Sequence, residues 1–385
     1  MSNNKVELIA TSTFGLEAIV GEEVRELGFK DVRVENGKVS FQSDLNGIAR
    51  SNLWLRTADR VRLKIGEFEA RTFDELFEKT KRLPWSEWLP ENAEFPVEGK
   101  SVKSTLYSIS DCQAIVKKAI VEHMKGKYKK DWFDEDGPLF RIEVSLLKDV
   151  ATLTIDTSGV ALHKRGYRSL IGGAPLKETM AAALIRLSKW NPDTVLVDPL
   201  CGSGTIPIEA ALIGQNIAPG MNREFASEHW PSIPKDVWRQ ARAETHDLAN
   251  YDRPLEIIGT DIDDEMLKIA RVNAEEAMVN DSIHFQRMDV SDLRSSKKYG
   301  KIICNPPYGE RLGEQKEVEQ LYKRMGNVFR ALDTWSYYIL TSYEGFESLF
   351  GKQASKKRKL FNGNIKVDYY QFFGPRPPRP KREGE

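Results

Sequence analysis

Asn305-Pro306-Pro307-Tyr308 follow two isoleucines and a cysteine in the stretch "IICNPPYGER", residues 302–311. Two adjacent prolines remove two backbone donors and fix two φ angles, so neither a helix nor a central strand can run through them. On its own such a pair reads as a loop that ends a strand. The chemistry it permits is a rigid ledge holding an amide and an aromatic ring in fixed relation. An exocyclic amine on a nucleobase is a weak nucleophile, because its lone pair is delocalised into the ring. The Asn305 side-chain carbonyl and the Pro306 backbone carbonyl can together accept its two N–H bonds. That turns the nitrogen toward tetrahedral geometry and aims its lone pair at an electrophilic methyl group, while Tyr308 stacks on the base. Positioning and electrostatics supply most of such a rate gain. The target base has to be flipped out or unpaired to reach the ledge. Asparagine, rather than aspartate, suits an amine that is already neutral and needs orientation more than deprotonation.

A second constellation, "VLVDPLCGSGTIPIEAAL" (195–212), delivers Asp198 at the end of an apolar strand. A tight turn through Pro199, Cys201, Gly202, Ser203 and Gly204 follows, and a helix begins near Thr205. Glycines without Cβ let the turn kink and let a ligand approach the backbone. A doubly wound sheet holds nucleotide-like ligands at such strand ends. The turn is neither GxGxxG, since Pro207 stands at the third glycine position, nor a P-loop, since no Gly-Lys-Ser/Thr follows. Asp198 would repel phosphate but suits the ammonium of an amino-acid moiety. S-adenosylmethionine carries that moiety and has no phosphate.

The next strand ends "IIGTDID", which places Asp261, with Ile262 beside it, where a carboxylate accepts ribose hydroxyls; Asp263 is the second choice. A third strand, "FQRMDV", puts Asp289 within reach of an adenine amine. Any one of these acids alone is a routine strand-end or capping residue. Three in succession, each closing a strand of one sheet, point to a cofactor crevice. Asp261 lies far beyond the roughly 20 residues usual between glycine turn and acid. The segment 214–254 is therefore expected to be a helical insertion packed down by Trp230 and Trp238. Lys177, Glu178 and Thr179 either touch the cofactor carboxylate at a helix N-terminus or simply pack.

These residues need a scaffold, and 385 residues are enough for two or three domains. Hydrophobic residues at 40% and charged residues at 30% describe an ordinary globular protein. Cys112, Cys201 and Cys304 lie far apart with no CxxC spacing, which fits a reducing cytoplasm and implies neither a disulfide framework nor structural zinc. The histidines show no metal spacing, the N-terminus has no secretion-signal pattern, and no apolar run reaches the length of a membrane span. With 57 basic and 57 acidic residues, net charge gives no support for nucleic-acid binding. Basic clusters at 125–130 ("KGKYKK"), 163–168 ("HKRGYR"), 356–359 ("KKRK") and 376–382 permit a local basic face; each alone reads more simply as a solvated surface or tail.

Three regions separate by pattern. Residues 1–66 alternate strands and helices, with a hairpin at Asn36-Gly37 and Asp44 capping a helix, which suggests a ferredoxin-like α+β layer. Residues 67–160 form a second α+β unit. In it Asp111 is expected to cap a long helix whose stripe includes Ile115, Ile120 and Met124, and Trp85 and Trp88 form a packed corner. A linker with Gly172-Gly173 opens residues 161–385, where strands alternate with helices as in a largely parallel sheet covered on both faces. "KKRK" either grips phosphate or flanks a hairpin at Asn362-Gly363, and the tail from about residue 374 is Pro- and Arg-rich with a disordered composition.

The pairing of "DPLCGSGT" with "NPPYGER" resembles class I S-adenosylmethionine-dependent methyltransferases that act on exocyclic amines. "FPVEGKSVKSTLYSISDCQAIVKKAI" resembles the THUMP domain, an RNA-binding module, and "LHKRGYR…APLKETMAAALI" resembles the entry to the catalytic domain in that group. Together they resemble the large-subunit ribosomal RNA guanine-N2-methyltransferase L family over nearly the whole chain. The resemblance implies an α/β fold: a Rossmann-like domain with a mainly parallel seven-stranded sheet, preceded by ferredoxin-like and THUMP units. It implies S-adenosylmethionine as cofactor, RNA as partner (23S rRNA or a large-subunit precursor), a cytoplasmic location and no membrane. It also assigns Asp198, Gly202 and Gly204 to the first cofactor motif, Asp261 and Asp289 to the second and third, and Asn305 to Tyr308 to catalysis. Some members carry a second methyltransferase domain; this chain ends at Glu385 without one, so only the first activity is expected. NPPY serves adenine N6, cytosine N4 and guanine N2 alike. DNA adenine methylation and tRNA guanine-N2 methylation therefore stay open, as does an RNA-binding assembly factor with a relict fold.

Overall fold

The structure, a computed structural model, describes residues 5–168, 176–308 and 315–378. In chain order the first elements are β1 (Val6–Thr11), α1 (Glu17–Glu26), β2 (Lys30–Glu35), β3 (Lys38–Ser43), α2 (Leu45–Trp54) and β4 (Arg60–Glu69). Then come α3 (Phe73–Lys81), β5 (Val97–Val102), α4 (Ile109–Tyr128), β6 (Ile142–Leu147) and β7 (Val150–Asp156). The second half holds α5 (Glu178–Ser188), β8 (Leu196–Asp198), α6 (Thr205–Gly214), α7 (Lys235–Leu248), β9 (Ile257–Asp261), α8 (Asp264–Glu276) and β10 (Ile283–Arg287). It closes with β11 (Lys301–Cys304), α9 (Gln315–Arg330), β12 (Ser336–Thr341), α10 (Phe346–Phe350), β13 (Lys356–Asn362) and β14 (Ile365–Phe372). Two compact units result: residues 1–12, 20–162 and 219–247 form one, and residues 13–19, 163–218 and 248–385 form the other.

In the first unit the ferredoxin-like and THUMP-like strands share one seven-stranded sheet, ordered β2-β3-β1-β4-β7-β6-β5. The long strand β4 joins them, pairing antiparallel with β1 on one side and β7 on the other. Asn36-Gly37 makes the hairpin between β2 and β3, with Gly37 at φ +75°, a conformation that costs glycine little. Asp44 caps α2 by accepting from the Gly47 N–H.

Two expectations fail on α4. Its N-cap is Ser108, so Asp111 lies inside the first turn, where a carboxylate still favours the positive end of the helix dipole. Its buried stripe is Cys112, Val116, Ala119, Ile120 and Met124, while Ile115 sits only half-buried on the flank. Trp85 is fully buried and donates Nε1–H to the Thr80 carbonyl, as a packed corner requires.

The 214–254 insertion supplies α7, and its residues 219–247 belong to the first unit. Trp230 stacks on Phe140 at 4.6 Å and donates to the Leu139 carbonyl, and Trp238 stacks on Phe225 at 5.4 Å. Both indoles thus pack the insertion down, and each N–H finds an acceptor.

The second unit is a seven-stranded sheet ordered β10-β9-β8-β11-β12-β14-β13. Its first four pairings are parallel, and at one edge β14 alone is reversed, pairing antiparallel with both β12 and β13. Helix α9 buries Val318, Tyr322, Met325 and Phe329, a 3.6-period stripe, against β11, β12 and α10. The "KKRK" segment is part of β13, and its hairpin turns at Gly363-Asn364, one position later than the sequence suggested. Gly172-Gly173 and the end of the tail lie outside the described residues.

Candidate active site

Within the second unit the chain runs from β8 outward through β9 and β10, then returns to the other side of β8 as β11. That reversal is the topological switch point at which open α/β sheets bind ligands. Because the strands are parallel, β8, β9, β10 and β11 present their carboxyl ends on one edge. Asp198 ends β8 and Asp261 ends β9 beside it; Asp289 lies just past β10. Ile302 pairs with Val197, so Asn305 leaves β11 two positions beyond the level of Asp198 on the adjacent strand. Neighbouring strands lie about 4.8 Å apart. The ledge and the first acid therefore stand at neighbouring strand ends on the same edge of the sheet.

The glycine turn is built as a backbone cradle. Gly202 and Gly204 take left-handed φ values of +51° and +82°, where a side chain is strained. A Cβ on Gly204 would lie 3.0 Å from Ala270 Cβ and 3.2 Å from Phe285 Cζ, so helix and sheet pack on it directly. The Cys201 N–H donates to Thr260, the Gly202 N–H to Asp261 Oδ2 at 2.9 Å, and Asn273 Nδ2 to the Ser203 carbonyl. Ser203 and Thr205 are buried in this turn with Pro199, while the side chain of Ile262 is 58% exposed beside Asp261.

The acids differ in state. Asp198 is 2% exposed, and burial pushes its carboxyl well above the usual range, offset in part by the Leu200 N–H and reinforced by the charge of Asp261. No cationic side chain among the described residues pairs with this buried carboxyl. Asp261 accepts from the Gly202 and Asp263 N–H groups, and Asp263 caps α8. Asp289 accepts from the Ser291 N–H, which lowers its pKa, and Arg324 lies 3.7 Å away. Burial raises the thiols of Cys201 and Cys304 well above their usual value, so neither is a thiolate nucleophile.

On the ledge, Pro306 is buried and Pro307 exposed. The Tyr308 hydroxyl donates to Asn305 Oδ1 at 2.5 Å, and the Tyr322 hydroxyl donates to the Pro307 carbonyl at 2.8 Å. Gly309, Glu310 and Arg311 lie outside the described residues.

The basic motif 163–168 is not the solvated face its composition suggests. Arg165 is buried against Glu209 at 3.2 Å, and the Tyr167 hydroxyl donates to the same carboxylate. Arg168 pairs with Glu178 at 3.2 Å and donates to Thr205 Oγ1 at the start of α6. Burial, together with Lys177 and the neighbouring arginines, brings His163 down to about 4, so it is neutral near pH 7. Sequence reasoning missed this buried ionic set beneath the glycine turn. The signal available was the i, i+2, i+3 spacing of Arg165, Tyr167 and Arg168 just ahead of an apolar helix.

The fold and this crevice define a class I methyltransferase domain. The chain belongs to the family described as "RMKL-like, methyltransferase domain", which matches residues 165–371; the RlmL ferredoxin-like domain matches 7–62 and the THUMP domain 70–156. It is 58% identical over 382 residues to the Bacillus subtilis protein named "Putative RNA methyltransferase YpsC", covering 98% of this chain and 99% of that one. A Listeria monocytogenes structure described as a "predicted N6-adenine-specific DNA methylase" is 60% identical, with TM-score 0.93 and 97% of each chain covered. The structure of "SMU.472, a putative methyltransferase complexed with SAH" is 50% identical, with TM-score 0.91, covering 97% of this chain and 100% of that one. No helix among the described residues is long and apolar enough to cross a membrane.

Proposed function

We propose that this chain methylates the exocyclic N2 amine of a guanosine in 23S rRNA, using S-adenosylmethionine. The observation that carries the reading is the Asn305–Tyr308 ledge leaving β11 next to the Asp198 end of β8. The residues present fit the cofactor: two side-chain-free glycines form a cradle, and a buried carboxyl suits an ammonium and would repel phosphate. Asp198 and the Gly202–Gly204 turn would hold the amino-acid end, Asp261 the ribose, and Ile262 and Asp289 the adenine. When bound, S-adenosylmethionine supplies an electrophilic methyl group on a sulfonium.

The chain's own part is orientation. Asn305 Oδ1 and the Pro306 carbonyl accept the two N–H bonds of the target amine and localise its lone pair, and Tyr308 stacks on the base. The proton lost from nitrogen after transfer passes to solvent, which needs no strong base because the methylated amine is acidic while cationic. A THUMP unit in the same chain, at residues 67–160 in our division, favours RNA as the partner.

The test is mass-spectrometric mapping of methylated nucleosides in 23S rRNA and tRNA from a deletion strain. Loss of one N2-methylguanosine from 23S rRNA, restored by the wild-type gene, supports the reading; loss from tRNA alone replaces it. The description of the Listeria relative as an adenine-specific DNA methylase gives weight to a second reading, adenine-N6 methylation of DNA. Methyl transfer to duplex DNA and not to rRNA would select it.

A further inference from the structure

A diproline ledge has a construction problem. Neither Pro306 nor Pro307 has an N–H, so only packing or their carbonyls can tie the ledge down. The Pro306 carbonyl has no donor among the described residues and, on the reading above, is reserved for the target amine. On the two prolines themselves the tether is the Pro307 carbonyl, which receives the Tyr322 hydroxyl at 2.8 Å.

The direction of each bond follows from counting hydrogens. A tyrosine has one O–H, and a carbonyl can only accept, so the Tyr322 proton goes to Pro307. Tyr322 Oη also lies 2.8 Å from Thr341 Oγ1, so there Thr341 must be the donor. Thr341 Oγ1 in turn accepts the Tyr343 N–H at 3.0 Å. A one-way chain thus runs Tyr343 N–H to Thr341 O–H to Tyr322 O–H to the Pro307 carbonyl. Its members come from the end of β12, the loop after it and the buried face of α9. The Tyr322 ring is fully buried and wedged edge-on by Tyr343 at 5.5 Å and Phe346 at 5.0 Å, so the hydroxyl has little freedom to swing. Burial also raises its pKa, which keeps it a donor throughout the physiological range.

We infer that Tyr322 and Thr341 are positioning residues for the methyl-transfer step: their relay pins the Pro307 carbonyl and so fixes where Asn305 Oδ1 and the Pro306 carbonyl meet the target amine. The inference rests on the ledge being catalytic. Neither residue touches cofactor or base; each acts through the ledge.

The test compares Tyr322→Phe and Thr341→Val with Thr341→Ser, which keeps the hydroxyl. Misplacement of a reacting group by about 1 Å costs roughly a hundredfold, so we expect kcat to fall ten- to a hundredfold in Tyr322→Phe and Thr341→Val. S-adenosylhomocysteine affinity by calorimetry and KM for RNA should each stay within about threefold, since binding is not what the relay serves. Thr341→Ser should restore kcat. Unchanged kcat in both variants, with Asn305→Ala inactive, overturns the inference and leaves the proposed function standing. If the wild type methylates no nucleic acid, the proposed function fails, and crystal structures of the two variants then decide the relay. A Pro307 carbonyl that moves or loses order in both supports it, and an unmoved ledge overturns it. A fall in kcat that tracks an equal loss of cofactor affinity also overturns it, because that is the mark of a general packing defect.

Discussion

The hydroxyl of Tyr308 donates to Oδ1 of Asn305 at 2.5 Å, so the ring proposed to stack on the base occupies the oxygen proposed to receive its amine. The oxygen has a second lone pair, so an incoming amine either shares it with the phenol or displaces the phenol. The bond also holds the amide in one orientation while the site is free of substrate.

Asn305→Ala is expected to abolish methyl transfer while leaving cofactor affinity within a few-fold. Radiolabelled methyl transfer and calorimetry with S-adenosylhomocysteine measure the two separately; loss of cofactor binding would show the role is misassigned. Tyr308→Phe removes the competing donor but keeps the ring, so activity should persist with an equal or lower KM for RNA. Tyr308→Ala removes base stacking worth about 1–3 kcal/mol, roughly a five- to 150-fold rise in KM.

Gly204→Ala should weaken both cradle and fold. A left-handed conformation costs a non-glycine residue about 1–2 kcal/mol, and the new methyl would meet Ala270 at 3.0 Å. A lower melting temperature, with cofactor affinity reduced beyond what that destabilisation explains, is the expected outcome.

Asp198 makes cofactor binding depend on pH. Its folded pKa lies well above the ordinary 3.8, so above that value the unliganded folded chain keeps a proton the unfolded chain has released. Its contribution therefore turns against stability as pH rises from about 4 toward the folded pKa, the reverse of a salt-bridged aspartate. A cationic ligand favours the ionised form, so binding should release a proton and tighten as pH rises through that window. Calorimetry in two buffers of different ionisation enthalpy reads the proton directly. Asp198→Asn should abolish the release and weaken binding at least about tenfold, the scale of a charged hydrogen bond, without lowering the stability of the unliganded chain.

Trp230→Ala should destabilise the first unit by about 3–5 kcal/mol, the usual cost of emptying a buried tryptophan site. The indole is 1% exposed, stacked on Phe140 and bonded to Leu139. Denaturant unfolding followed by tryptophan fluorescence measures it. A cost below about 1 kcal/mol would mean the insertion is only loosely attached.

Local rules carried the sequence reading furthest. Asp44 before an apolar run, Asn36-Gly37 between alternating strands, and Asp198 and Asp261 at the ends of adjacent strands each follow from near neighbours and stand where expected, while Asp289 falls two residues past β10. What escaped depends on contacts distant in sequence. The merging of two α+β layers into one sheet depends on β4 meeting β7, some 90 residues later, and no periodicity signals a partner. Arg165 and Arg168 read as surface charge because their acids, Glu209 and Glu178, lie on helices further along the chain. The bond from Tyr322 to the Pro307 carbonyl has no sequence signal, since nothing in a periodic pattern distinguishes a hydroxyl that only fills space from one that holds a carbonyl.

Residues 219–247 leave the sheet that carries the glycine turn, complete the unit built from the first 162 residues, and return. Residues 13–19 make the opposite excursion. No single cut can therefore liberate either half intact: a fragment ending at residue 162 would leave Phe140 without the indole that covers it, and one beginning at residue 163 would carry that indole with nothing to cover. A cut between residues 162 and 163 is therefore expected to leave both units incomplete, and point substitution within the whole chain is the cleaner way to test them separately.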